Sequence, residues 1–294
     1  MNRKAYTSMA DPLTTPAAEL PVRRLGPEDL DRCLALSEDR AWGPERRKWL
    51  FILENGEGYG IDAPSGELAG TVTLTRYDTT AAGIGMMLVA TRYGGRGLGR
   101  RLMTHALEAA GDAVVFLWAT ESGRPLYEKL GFETLCVAEA RVGRLRAGGD
   151  PVRSRPADPG RDLPALLALD AEVFGADRSA LLARLFDFAE QVRVVEDDSG
   201  LIGYAGMWRN LSTLVIGPVV AGGEEVARAL ITDLARTADG PVRVEVDRTR
   251  PGLLGWLGDR GVSQAFWTSF MVHGGRPLPG DRTRVFAPLT VAMG

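Results

Sequence analysis

Two cysteines and two histidines are all that a chain of 294 residues offers to a disulfide or a metal. Cys33 and Cys136 are too few and too far apart in sequence for a cystine framework, and with only His105 and His273 beside them no zinc site assembles. The expectation is therefore no metal and a reducing, cytoplasmic compartment. Lysine is scarce too, with Lys4, Lys48 and Lys129 the only ones among 35 basic residues. Against 38 acidic residues the net charge is −3, which provides no cationic face for nucleic acid or for a membrane. No apolar run approaches the roughly 18 residues of a membrane helix. Residues 1–20 lack the unbroken apolar core of a signal peptide and read as a mobile tail. What remains is the composition of an ordinary globular protein, 45% hydrophobic and 25% charged, long enough for two domains.

The densest break in apolar periodicity is "RAGGDPVRSRPADPGRD", residues 146–162, which puts a boundary near Gly148 and divides the chain into 21–147 and 148–294. The two sides read alike. "LPVRRLGPEDLDRCLAL" is matched by "DPVRSRPADPGRDLPALLAL", "GELAGTVTLTRY" by "SGLIGYAGMWRN", and "LYEKLGF" by "WLGDRGV". Gly70 and Gly203 lie 133 positions apart and Gly131 and Gly261 lie 130 apart, so the offset is nearly constant, as a duplicated domain requires.

In the first copy, "EDLDRCLALSED" and "ERRKWLFILEN" have helical spacing and precede the sheet. "YGIDA", "LAGTVTLTRY" and "GIGMMLVA" are rich in strand formers, are separated by turn residues, and predict an antiparallel meander. The run "AVVFLWA" is apolar throughout, as a strand buried on both faces should be. A short helix is expected after Ser122 as N-cap and before Gly131, followed by the strand "ETLCVAEARVGRL". The fold class is α/β, with a mixed parallel and antiparallel sheet flanked by helices in each of two tandem domains.

Between meander and helix stands "RYGGRGLGRRLM", with glycines at 94, 95, 97 and 99. Glycines permit positive φ and let backbone N–H groups face outward, and a helix beginning there adds its positive end. Such a turn holds phosphates; the alternative is a tight strand-to-helix turn that happens to be glycine-rich. No Gly-Lys-Ser/Thr follows, which removes a Walker loop. The third glycine of a dinucleotide fingerprint is absent, because Arg100 or Leu102 stands where it should.

The motifs taken in order resemble the GNAT superfamily of acyl-CoA-dependent N-acetyltransferases over residues 21–146. The resemblance implies acetyl-CoA as cofactor, with its pyrophosphate on Gly94, Gly95, Arg96, Gly97, Leu98, Gly99 and Arg100, and its pantetheine arm against Met87, Leu88 and Val89. It implies Tyr127 as the catalytic proton donor to the departing thiolate. Two positions depart from the family: Gly94 stands where Arg or Gln usually opens the motif, and Thr120 where an Asn usually helps place the cofactor. The acceptor implied is a primary amine of a small molecule or peptide, with no nucleic acid or membrane partner. A non-catalytic acyl-CoA sensor is the alternative from another class, and a nicotinamide-dependent oxidoreductase a distant third.

No general base announces itself. Glu38, Asp39, Glu121 or a water relay are the options for the amine's proton, and Trp42 is a candidate wall of the acceptor site. In the second copy "GGEEVARAL" replaces "GGRGLGRRL", so Glu224 and Glu225 stand opposite Arg96 and Gly97, and Leu257 opposite Tyr127. A carboxylate about 4 Å from a phosphate costs about 4 kcal/mol at an effective dielectric near 20. That half resembles the degenerate C-terminal domains of tandem GNAT proteins and is expected not to bind CoA. Trp208 and Trp267 either wall the acceptor pocket at the domain junction or serve as ordinary core, leaving the second domain to line the site or to brace the first.

Overall fold

The computed structural model describes residues 20–293, so the expected tail, apart from Leu20, lies outside the described residues. Its first half runs β1 (Val22–Leu25), α1 (Leu30–Asp39), α2 (Arg46–Asn55), β2 (Glu57–Asp62), β3 (Leu68–Tyr77), β4 (Ala81–Val89), α3 (Leu98–Ala110), β5 (Val114–Ala119), α4 (Arg124–Glu128) and β6 (Phe132–Gly143). The second half repeats this order: β7 (Arg155–Pro156), α5 (Pro159–Phe174), α6 (Ser179–Phe188), β8 (Gln191–Asp197), β9 (Gly200–Asn210), β10 (Thr213–Ala221), α7 (Glu224–Ala235), β11 (Val242–Asp247), α8 (Pro251–Asp259) and β12 (Val262–His273). One short strand, β13 (Val285–Ala287), has no counterpart in the first half.

Three local expectations need correction. A strand, β1, precedes the two helices; at four residues it is too short to show alternation, and its pairing with β2 fixes it. β13 is missed for the same reason. Ser122 is not the N-cap of α4, which begins at Arg124 after Gly123. Thr120 takes that part, its carbonyl accepting from Gly123 N and Arg124 N at 3.1 and 3.0 Å and its Oγ1 lying 3.3 Å from Gly123 N.

The strands join in one sheet, ordered β1-β2-β3-β4-β5-β12-β6-β11-β10-β9-β8-β7, with β13 on β10. The terminal strand of each repeat therefore lies in the other's half. β12 pairs antiparallel with β5, and β6 pairs antiparallel with β11. The exchanged strands also pair with each other, Phe132 opposite His273 and Gly143 opposite Val262, about a local two-fold. The linker near Gly148 separates the repeats in sequence, but in space neither closes its own sheet.

Cross-strand partners share a face. Gly70 and Val89 are partners, and a Cβ on Gly70 would meet Leu102 of α3, which marks the outer face. Thr73 with Gly85 and Thr75 with Gly83 look to the inner face. There the helices of the two halves meet: Phe51 of α2 stacks on Phe188 of α6 at 4.1 Å, and Phe174 of α5 meets Tyr77 edge-on at 5.0 Å. A single apolar core runs through the first half and across this junction, and a second lies outside the sheet of the second half.

Candidate functional site

β4 and β5 run parallel from Ala81 opposite Val114 to Ile84 opposite Leu117, and then part. Beyond the fork β4 keeps its partner on one side only, with Leu88 opposite Thr71 and Val89 opposite Gly70. A bulge lies just past the fork, where Met86 takes φ 44° and its carbonyl accepts from Thr71 Oγ1 at 2.9 Å. The bulge bends the strand and leaves the other backbone edge of Met87 to Val89 without a strand beside it. Met87 and Val89 are half-buried, and Leu88 turns its side chain into the core.

The glycine-rich turn follows directly. Gly95 and Gly97 have φ 74° and 81°, in the left-handed region, and a Cβ on either would meet nothing within 4 Å. Gly97 caps α3 without any side-chain hydrogen bond, so the first N–H groups of the helix face outward. Leu98 is buried and offers only its backbone. Gly99 has another purpose: a Cβ there would lie 2.8 Å from Met87 Cε and 3.2 Å from Leu126 Cδ2, so its lack of a side chain lets α3 seat against β4 and α4. Gly94, Arg96 and Arg100 are exposed along the same rim, and the Arg96 guanidinium stands 5.6 Å from the centre of the Tyr93 ring. Arg92, two residues before Gly94, is held by Glu67.

Tyr127 is 8% exposed, and burial alone pushes its pKa up to about 12. Among the described residues its hydroxyl makes no hydrogen bond. Its ring edge packs on Gly123, where a Cβ would come within 3.0 Å of Cε2 and 3.3 Å of Oη, so the β5–α4 turn bearing Thr120 sets the position of the phenol.

The candidate bases do not gather at the fork. Glu38 and Glu121 are exposed. Asp39 Oδ2 accepts from Thr91 N at 2.6 Å, tying the end of α1 to the segment leaving β4. Trp42, 37% exposed between α1 and α2, makes no polar contact with its side chain among the described residues. Trp208 and Trp267 do not meet. Trp208 is buried on the inner face, tilted on Phe188 at 5.0 Å, with Nε1 donating to Leu289 O at 3.1 Å. Trp267 lies opposite Glu139 and 6.0 Å from Arg248, which pairs with Glu139.

In the second half the fork is filled. β10 pairs with β11 at Leu214 and Val215, and beyond that point with β13, Val219 opposite Ala287 and Val220 opposite Val285. Val219 and Val220 correspond to Met87 and Leu88. Gly223, the N-cap of α7, is extended at φ −178°, whereas its counterpart Gly95 and the N-cap of α3, Gly97, are both left-handed, and Glu224 opens α7 and pairs with Arg228. Leu257, opposite Tyr127, is fully buried.

A parallel fork and a bulged strand leading into a helix, built twice, with a glycine turn on the helix N-terminus of the first half, define an acyltransferase fold. Residues 27–132 match the acetyltransferase (GNAT) family and residues 166–287 an acetyltransferase (GNAT) domain. The chain is a tandem member of the GNAT acetyltransferases, and its class is that of an enzyme. It is 29% identical to the uncharacterized N-acetyltransferase YitH of Bacillus subtilis over 76% of this chain and 80% of that one. Its fold is similar to that of a putative acetyltransferase from Pyrococcus horikoshii, with a TM-score of 0.79, 20% identity, and coverage of 94% and 96% of the two chains. A tandem GNAT protein from the clavulanic acid biosynthesis pathway superposes with a TM-score of 0.60 at 15% identity, over 88% of this chain and 99% of that one. No helix among the described residues is long and apolar enough to cross a membrane.

The sequence missed two devices of the site. One is β13 as the filler of the second fork. The other is the segment 288–293, which crosses the inner face between the repeats. A Cβ on Gly217 would lie 2.1 Å from Pro288 O, and one on its counterpart Gly85 would lie 2.1 Å from Ala292 O. Glycines at 83 and 85 of a buried strand were the available signal that backbone passes close by.

Proposed function

We propose that the N-terminal half transfers an acetyl group from acetyl-CoA to a primary amine of a small molecule or peptide. The observation that carries this is the contrast between forks: β4 keeps an unpaired backbone edge leading to outward N–H groups, whereas β10 spends that edge on β13. Charge-assisted N–H contacts of about 1.5–3 kcal/mol each suit Gly95, Gly97 and Gly99 to a pyrophosphate, with Arg96 and Arg100 adding charge. The backbone of Met87 to Val89 suits a pantetheine arm. Acetyl-CoA supplies the thioester whose acyl carbon the amine attacks.

The remaining chemistry falls to this chain's own groups. Ala90 N donates to Ala69 O of the neighbouring strand, so it is the Val89 N–H that faces the open edge and polarises the carbonyl. Tyr127, whose burial favours the neutral phenol, holds the proton for the leaving sulfur. With Glu38 and Glu121 in solvent and Asp39 engaged, water carries the amine's proton away. The unpartnered Tyr127 hydroxyl supports turnover over mere sensing. Calorimetry with CoA, followed by mass spectrometry of an amine panel incubated with acetyl-CoA, tests the reading. Absence of any CoA binding would overturn it.

A further inference from the structure

Arg282 is a half-buried cation with no carboxylate partner among the described residues. It lies in the turn between β12 and β13, and its guanidinium stands 4.8 Å from the centre of the Phe270 ring and 5.9 Å from that of Phe174. Among the described residues no carboxylate comes within ion-pair distance of it. Asp247, the acidic group that acts on it, holds Thr249 N at 2.8 Å and lies beside the Cys136 thiol. Burial first, and the Arg178 guanidinium second, lower the Arg282 pKa to about 10. Arg178 itself is satisfied by Asp170 at 2.7 Å. A guanidinium does not give up its proton at any working pH, so Arg282 stays a cation with ring faces but no carboxylate beside it.

A second donor, this one a buried N–H without an acceptor, borders the same ring. Trp118 packs on Phe270 at 4.6 Å, and its buried Nε1–H has no acceptor. Trp118 is the first residue of β5 past its last pairing with β4, and Phe270 is its cross-strand partner on β12. Both donors therefore flank the mouth of the open fork, on the inner face, opposite α3. The turn that carries Arg282 is fixed: Arg250 donates to the carbonyls of Thr283 and Val285 at 2.7 and 3.0 Å, and Asp281 N donates to Val173 O at 2.8 Å.

We propose that Arg282 and Trp118 Nε1 together bind a carboxylate on the acceptor, so that the substrate class is amines that also carry an acid group, amino acids being the simplest. The acceptor assignment rests on the acyl-transfer reading; the anion site does not. A cation without a carboxylate and a buried N–H without an acceptor ask for a ligand that only accepts, and a carboxylate has lone pairs for both. The second repeat thus contributes through its exchanged strand and the turn after it, placing one end of the acceptor while the other reaches the fork. Sequence inspection did not find this site, because Arg282 is one of many arginines and only strand exchange brings it beside Trp118.

Two measurements test this separately. In protein labelled with ¹⁵N-tryptophan, the Trp118 indole signal, assigned by its loss in Trp118→Phe, is followed on adding glycine, β-alanine, 4-aminobutyrate and 4-aminomethylbenzoate, each against its carboxamide. At least one acid should shift the signal saturably while its amide does not, and Arg282→Met should weaken that response about 10- to 100-fold. A shift of equal size with formate or chloride would show an adventitious ion only and overturn the assignment, as would no shift with any acid. Acetyl transfer to the same pairs is then compared. Acids should be preferred by a similar factor in kcat/KM, and Arg282→Met should bring each pair to parity. Binding of acids without transfer would sink the acyl-transfer reading and leave the anion site standing. Transfer without preference would sink the site and leave acyl transfer standing.

Discussion

Val220 of β10 and Val285 of β13 are cross-strand partners, while Leu88, which holds the place of Val220 in the first repeat, has an open edge. The same fork is thus closed by the chain's own backbone in one half and left without a strand in the other. CoA should accordingly bind once per chain. Calorimetry returning two equivalent sites would contradict this.

The glycine turn supplies a sharper test. Gly97→Glu places a carboxylate against the bound phosphates and forces a side chain into the left-handed region, a strain of about 1–2 kcal/mol. Gly97→Asn, a residue that tolerates that region, controls for the strain. Glutamate should weaken CoA by about 100-fold or more and asparagine by far less, with both variants melting cooperatively. Equal affinities in the two variants would detach the turn from the cofactor.

Tyr127→Phe should lower kcat about 100-fold while leaving CoA affinity nearly unchanged, since the lost proton matters as sulfur departs. The pH dependence has a definite sign. Burial holds the folded phenol near 12, against about 10 in an unfolded chain, so folding favours the neutral form. That contribution is complete below about pH 10 and is lost as pH rises toward 12. The kcat profile should show no tyrosine limb below about pH 11. A limb near 10 that vanishes in Tyr127→Phe would mean the phenol is solvated.

Much of this was legible in the residues. The helices and the long strands follow from periodicity, the duplication from matched segments, and the left-handed glycines from their spacing. What was hidden depends on pairing across long distance. Nothing in "ETLCVAEARVGRL" or "AFWTSFMV" says that the two strands trade places, because an apolar strand looks the same beside either neighbour. Trp208 shows the same limit. Its sequence context fitted a pocket wall or a core equally, and only its burial against Phe188 and Leu289 makes it core. Trp208→Ala should cost about 3–5 kcal/mol of stability and leave the acceptor KM alone.

Strand exchange has a consequence for the N-terminal half on its own. Without β12, the whole edge of β5 is unpaired, and the side chain of Phe270 no longer covers Trp118. Residues 21–147 expressed alone should therefore show no cooperative melting and should aggregate through that edge. Expressed together with 148–294 as two separate chains, they should recover CoA binding, because the exchange needs no peptide link at Gly148.

The segment 288–293 allows a test of how the halves are locked. Gly85→Ala drives a Cβ into Ala292 O, backbone against backbone, so the segment must move; overpacking of this kind costs about 1–3 kcal/mol. Removing residues 290–294 also costs stability, because the Tyr77 hydroxyl loses the Met293 carbonyl to which it donates. If the clash is the whole reason for glycine at this position, the two changes are not additive: alanine at 85 should cost little once the segment is gone. Full additivity in a double-mutant cycle would mean that Gly85 is required by the bulge of β4 itself. The crossing segment would then only rest on the strand, and the fork would owe its shape to Met86 and Thr71 alone.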